Sequence, residues 1–92
     1  MSEITFEWDE RKNASNKRKH GIAFEEACSV FFDANALLIP DPEHSYDEER
    51  FVIMGFSSQL RMLVVCHCYR NDERTIRIFS ARKATKAECC YY

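Results

Sequence analysis

Apolar and polar residues alternate with period two over residues 4–8, so that Ile4, Phe6 and Trp8 share one face, and this predicts a short strand. Asp9 follows as an N-cap and predicts a helix over residues 10–20. Glu10 in its first turn and Lys17, Arg18, Lys19 and His20 in its last complement the helix dipole, and Gly21 supplies a left-handed stop. This helix has one apolar residue, Ala14, so no apolar stripe drives it into a core. It is expected to be largely solvated or covered by a partner. Over residues 24–32 the spacing changes: Phe24, Ala27, Cys28 and Phe31 fall at i, i+3, i+4 and i+7, which predicts a second helix with Phe24 and Phe31 in the core and Cys28 as buried filler.

Residues 33–35 break that pattern. Residues 36–40 predict a short strand closed by Pro40-Asp41-Pro42, and residues 41–49 an exposed acidic loop. Three further strands, over residues 50–57, 61–69 and 74–81, are joined by connections short enough to force an antiparallel meander. Residues 83–92 have helical propensity. The order β, α, α, β, β, β, β, α indicates an α+β domain, an antiparallel sheet with helices on one side. Period two groups Arg61, Leu63, Val65, His67 and Tyr69 on one face of the middle strand. On the next strand it sets Arg74, Ile76, Ile78, Ser80 and Arg82 against Thr75, Arg77, Phe79, Ala81 and Lys83.

Composition narrows the class. With 92 residues, 46% apolar and 30% charged, and only two Gly and two Pro, the chain is expected to form one folded, soluble domain over residues 1–92. No apolar run approaches the ~20 residues that a membrane span needs. The first residues lack a basic segment followed by an apolar one, so the expected location is the cytoplasm. There the five cysteines are expected to be reduced thiols. Cys66-His67-Cys68 and Cys89-Cys90 lack the CxxC spacing of structural zinc sites, and neither a Gly-rich phosphate loop nor a GxSxG elbow is present.

The net charge of −2 conceals a division. Residues 21–60 carry −7, whereas residues 61–86 carry +5 through Arg61, Arg70, Arg74, Arg77, Arg82, Lys83 and Lys86. A clustered basic stripe suits phosphate binding even in an acidic chain. Cleaving RNA without a metal needs a base for the 2′-hydroxyl proton, cations for the phosphorane and an acid for the leaving oxygen. His67 and the clustered cations, Lys83 among them, can supply those parts. A histidine inside an apolar run is more often a hydrogen-bonded core or edge residue than a catalyst, and Arg77 is equally a solvated strand arginine.

The segments from Phe6 to Asn13, then Asn16, then from Lys19 to Ala27 closely resemble the opening of BrnT-type toxins, the ribonuclease halves of type II toxin–antitoxin pairs. Pro40-Asp41-Pro42-Glu43-His44, Glu49-Arg50-Phe51 and Ile76-Arg77-Ile78-Phe79-Ser80-Ala81-Arg82-Lys83-Ala84-Thr85 match the rest. The resemblance implies a RelE-like fold, here two N-terminal helices, a meander and a short C-terminal helix. It implies endoribonuclease activity that arrests translation, no metal cofactor, and neutralisation by a BrnA-type antitoxin in a heterotetrameric complex. DNA would be bound only through the antitoxin's ribbon-helix-helix region. Carried onto this chain, it makes Arg77, Arg82 and Lys83 the candidates for phosphate positioning and His67 for acid or base, with Arg61, Arg74 and Lys86 as RNA-backbone contacts. A silent RNA- or protein-binding module of the same fold is the alternative. Two positions depart from the family: Ala23 stands where a capping Ser or Thr is usual, and Lys86 to Tyr92 replaces a more charged helix, although Tyr91 or Tyr92 offers a ring for a base to stack on. The cysteine spacing predicts no stoichiometric zinc in the reduced protein, which elemental analysis will check.

Overall fold

The side-chain amide of Asn16 ties the first helix to the sheet in the computed structural model of the chain, which describes residues 3–45 and 48–92; Tyr46 and Asp47 of the acidic connection lie outside them. The elements are β1 (Thr5–Glu7), α1 (Glu10–His20), α2 (Phe24–Cys28), a 3-10 turn (Ser29–Phe32), β2 (Leu37–Pro40), a second 3-10 turn (Pro42–His44), β3 (Arg50–Phe56), β4 (Met62–Arg70), β5 (Thr75–Lys83) and α3 (Lys86–Cys89). The strands form one sheet in the order β1-β5-β4-β3-β2. β2 through β5 pair antiparallel, as short connections require. β1, however, lies parallel to β5, with Phe6 opposite Ile76, so the sheet is mixed rather than wholly antiparallel. The chain between these strands is long enough to return β1's partner in the same direction.

Local chemistry sets the helix ends. The Asp9 carboxylate accepts from the Arg11 N–H at 2.8 Å, and Gly21 closes α1 with φ 70°. The second helix is shorter than its spacing predicts. Ala23 provides no side-chain cap, the Ser29 hydroxyl donates to the Glu26 carbonyl at 2.6 Å, and the weak helix formers Val30, Phe31 and Phe32 continue as a tighter turn. Lys83 belongs to β5, and α3 begins only at Lys86, where Thr85 and Glu88 form a reciprocal capping box.

Phe24, Ala27 and Val30 pack with Ile22 against Ile53, Leu63, Val65, Ile76, Ile78 and Ala81 to form the core on one side of the sheet. Phe31 and Cys28 are partly buried against it. Gly55 permits the close approach: a Cβ there would lie 2.9 Å from the Asp33 carboxylate and 3.0 Å from the Ala36 methyl.

The polar helix α1 is not merely solvated. Asn16 Nδ2 donates to the carbonyls of Ile22 (2.8 Å) and Ala81 (2.7 Å), while its Oδ1 accepts from the Ala81 N–H at 3.1 Å. Asn13 accepts from the Phe24 N–H at 2.9 Å and donates to Glu25 at 3.0 Å. Both asparagines are buried, so α1 docks through carboxamides instead of an apolar stripe. Removing Asn16 leaves three buried backbone groups without partners. Asn16→Ala is therefore expected to cost at least ~3 kcal/mol by urea denaturation, whereas exposed Asn35→Ala should stay within ~0.5 kcal/mol.

Candidate functional site

A break in the β5 alternation decides which side chains meet. Between Cys66 and His67 the β4–β5 register shifts, so that Cys66 pairs with Ser80 but His67 pairs with Ile78. Phe79 is the additional residue of a β-bulge, and the parity of β5 inverts after it. Ala81 and Lys83, paired with Val65 and Leu63, join the helix-covered face with Ile76 and Ile78. Ser80 and Arg82 turn instead to the open face. The grouping expected from uninterrupted alternation is corrected accordingly: Arg82 and Lys83 serve opposite faces from the ones period two assigns.

On the open face a cavity of about 330 Å3 is lined by Lys12 of α1, Asp41 and His44 around the second 3-10 turn, Arg50 of β3, Cys66 of β4, and Phe79, Ser80 and Arg82 of β5. Phe79 gathers two of the cations. The Arg50 guanidinium carbon lies 3.9 Å from its ring centroid and Lys12 Nζ 5.3 Å from it. Neither Lys12 nor Arg50 forms an ion pair among the described residues. At the rim His44 Nδ1 lies 2.8 Å from Asp41 Oδ2, which leaves Nε2 as the ring nitrogen available to a ligand. The turn that holds this dyad is itself fixed: the Asp41 N–H donates to the Arg50 carbonyl at 2.8 Å, and the Ser45 hydroxyl donates to the Asp41 carbonyl at 2.8 Å.

Arg82 completes the cavity but is shared. Its two terminal nitrogens donate to both Glu88 oxygens at 2.7 and 2.8 Å. The Arg82 fork, with the Thr85 N–H second, holds the Glu88 carboxyl down at about 2.

The remaining residues singled out from sequence lie elsewhere. His67 is corrected most clearly: it has no exposed surface, lies 4.7 Å from Phe31 ring to ring, and is on the helix-covered face. Nδ1 lies 3.2 Å from the Val65 carbonyl and Nε2 3.2 Å from the Tyr69 hydroxyl, a set that suits a neutral ring protonated on Nδ1. Burial lowers its pKa to about 4. It is a buried core histidine with both ring nitrogens hydrogen-bonded. Lys83 also leaves the cavity, near Glu26. Arg61 is held by the buried Glu26 carboxylate, to which its Nε donates at 2.9 Å, and that contact first of all lowers the Glu26 pKa. Arg77 shares the open face but donates to Glu7 at 2.9 Å. Arg74 and Lys86 are exposed, and neither lines the cavity.

Sequence reasoning missed Lys12, His44 and Arg50. Each stands inside a segment that carries the family resemblance, which was the available signal. The segments are far apart along the chain, and only the docking of α1 and the strand register unite them.

Comparison with known proteins adds to this geometry. The family model for "Ribonuclease toxin, BrnT, of type II toxin-antitoxin system" matches residues 8–88. The fold is similar to the 1.1 Å crystal structure of the Brucella abortus ribonuclease toxin BrnT, with a TM-score of 0.67 and 22% identity, covering 94% of this chain and 100% of that one. No curated protein matches the chain.

The buried imidazole has a consequence for stability. Its folded pKa lies below the ordinary ~6.5 of histidine, so the unfolded chain binds the extra proton first and stability falls as pH drops from ~6.5 towards 4. Urea midpoints should decline over pH 6.5–4.5, above the range in which Glu26 and Glu88 titrate. His67→Gln should flatten that decline.

Proposed function

The chain belongs to the BrnT family of ribonuclease toxins of type II toxin–antitoxin systems, and from that membership and the cation-lined cavity we propose that it cleaves RNA internally, without a metal, on the open face of its sheet. The observation that carries this reading is the convergence of Lys12, Arg50 and Arg82 with an oriented imidazole, His44, in one cavity. Residues from α1, β3, β5 and a 3-10 turn supply the three parts that the reaction needs.

A phosphodiester bound between the three cations has its negative charge balanced where it grows in the transition state. Asp41 orients His44, whose Nε2 takes the proton of the 2′-hydroxyl. The 2′-oxygen then attacks phosphorus, the bond to the 5′-oxygen breaks, and a 2′,3′-cyclic phosphate remains on the upstream fragment. The leaving 5′-oxygen needs a proton that the guanidinium groups of Arg50 and Arg82 cannot release. Lys12 is the cavity's remaining cationic donor. Arg82 has the additional task of exchanging Glu88 for a phosphate. Arg77 at the edge of the same face, with exposed Arg74 and Lys86, suits longer-range attraction of the RNA backbone.

In this reading the fold is a RelE-like one, the toxin acts in the cytoplasm, and cleavage halts translation. A BrnA-type antitoxin neutralises it in a heterotetramer, and DNA is bound only through that antitoxin. The second reading, a silent RNA-binding module, draws on the pairing of Arg82 with Glu88, which reduces the cavity's free charge. The two differ in one assay. Purified, antitoxin-free protein should cleave RNA in EDTA, and His44→Ala should lower kcat/KM by about 10²–10⁴-fold while RNA affinity stays nearly unchanged. Folded protein without cleavage would favour the silent module. In cells, expression should arrest growth, and co-expression of the neighbouring gene should relieve it.

A further inference from the structure

Beside the cation-lined cavity, on the same face of the sheet, lies a larger groove of about 520 Å3. Leu37 and Ile39 of β2, Met54 of β3 and Tyr91 beyond α3 line it, and it shares Val52 and Val64 with its neighbour. Glu88, its one charged lining residue among the described residues, is matched by Arg82. The apolar walls are open to solvent: Ile39 is 58% exposed and Tyr91 78%. We propose that this groove is a nucleobase subsite, which takes one unpaired base of single-stranded RNA next to the phosphate held by Lys12, Arg50 and Arg82, with Tyr91 as the stacking ring.

This inference rests on the ribonuclease reading and adds the substrate class to it. The volume falls within the ~300–1,000 Å3 of small-ligand pockets, larger than a lone side chain needs. The shared wall of Val52 and Val64 makes the groove the next stop for a chain whose phosphate occupies the cavity. Both hollows lie on one face, so a polymer that alternates anionic and flat apolar units matches them in turn. A protein segment docked on Leu37 and Ile39 would match the apolar half and leave the neighbouring cations unused. Apolar walls and a ring offer stacking without a pattern of donors and acceptors, so the groove selects an unpaired base over a paired one rather than one base over another. A base within a duplex is stacked on its neighbours and does not reach the groove.

The test is fluorescence anisotropy with a 2′-O-methyl RNA oligonucleotide, which cannot be cleaved because its attacking hydroxyls are blocked, and with a series carrying one abasic position each. Tyr91→Ala should weaken binding of the intact strand by about 5- to 100-fold. Tyr91→Phe, which keeps the ring, should bind within about twofold of the parent. With the abasic site at the position that enters the groove, Tyr91→Ala and the parent should bind alike. Equal binding of the intact strand by Tyr91→Ala and the parent overturns the subsite. So does an equal loss on every abasic strand. Loss of antitoxin affinity in Tyr91→Ala with RNA affinity intact would assign the groove to protein docking and also overturn it. Cleavage by the parent protein reports separately on the ribonuclease reading, so failure of one is distinguishable from failure of the other.

Discussion

The carboxamide of Asn16 stands where a strand would otherwise have to continue. β1 pairs with β5 only from Thr75 to Arg77, and beyond it the Asn16 side chain both donates to and accepts from Ala81, as a peptide group would. An unpaired edge is a liability for a small sheet, and here a helix with almost no apolar surface covers it. The same docking places Lys12, one turn earlier, over Phe79. Without this clamp the cavity would lack one wall and one cation.

The second constraint is the bulge at Phe79. A single additional residue moves Arg82 to the open face and Lys83 to the covered one, although the two are neighbours in the chain. It also leaves Phe79 where Arg50 and Lys12 can lie against its ring. Bulges recur near functional sites because they redirect the side chains that follow without ending the strand's pairing, and this one turns Ser80 and Arg82 to the open face and Ala81 and Lys83 to the covered one.

Charge behaves differently in the fold than along the chain. The acidic and basic segments do not form two independent surfaces, since much of the basic meander is matched by carboxylates from other elements: Arg61 by Glu26, Arg70 by Glu48, Arg77 by Glu7 and Arg82 by Glu88. The Glu26 pair is the most buried and is reinforced by the Ser57 hydroxyl at 2.6 Å, so it belongs to the architecture. The pair at Arg82 borders the cavity, and the proposed reaction requires its exchange for a phosphate. Counting cations therefore overstates the site, and their partners distinguish structural arginines from available ones.

Much of the fold is legible in local chemistry. Asp9 and Gly21 bound α1, the helical spacing of Phe24 and Ala27 marks a core helix, and short connections impose antiparallel pairing, because capping, periodicity and chain reach act over a few residues. The parallel pairing of β1 was not legible, since alternation within a strand says nothing of its partner's direction. Nor was the role of Asn16, whose bonds reach Ala81 across 65 positions of sequence. His67 shows the same limit in reverse: its residue type suggested proton transfer, and the rings of Phe31, Phe51 and Tyr69 around it made it core. The family resemblance was carried by short segments that include Lys12, His44 and Arg50, yet it did not mark them as a set. By itself the sequence determined the elements, their order and the kinship, all properties of neighbouring residues. The tertiary structure alone decided which side chains share a face and which cations are already paired, because a one-residue bulge and contacts between distant segments leave no local trace.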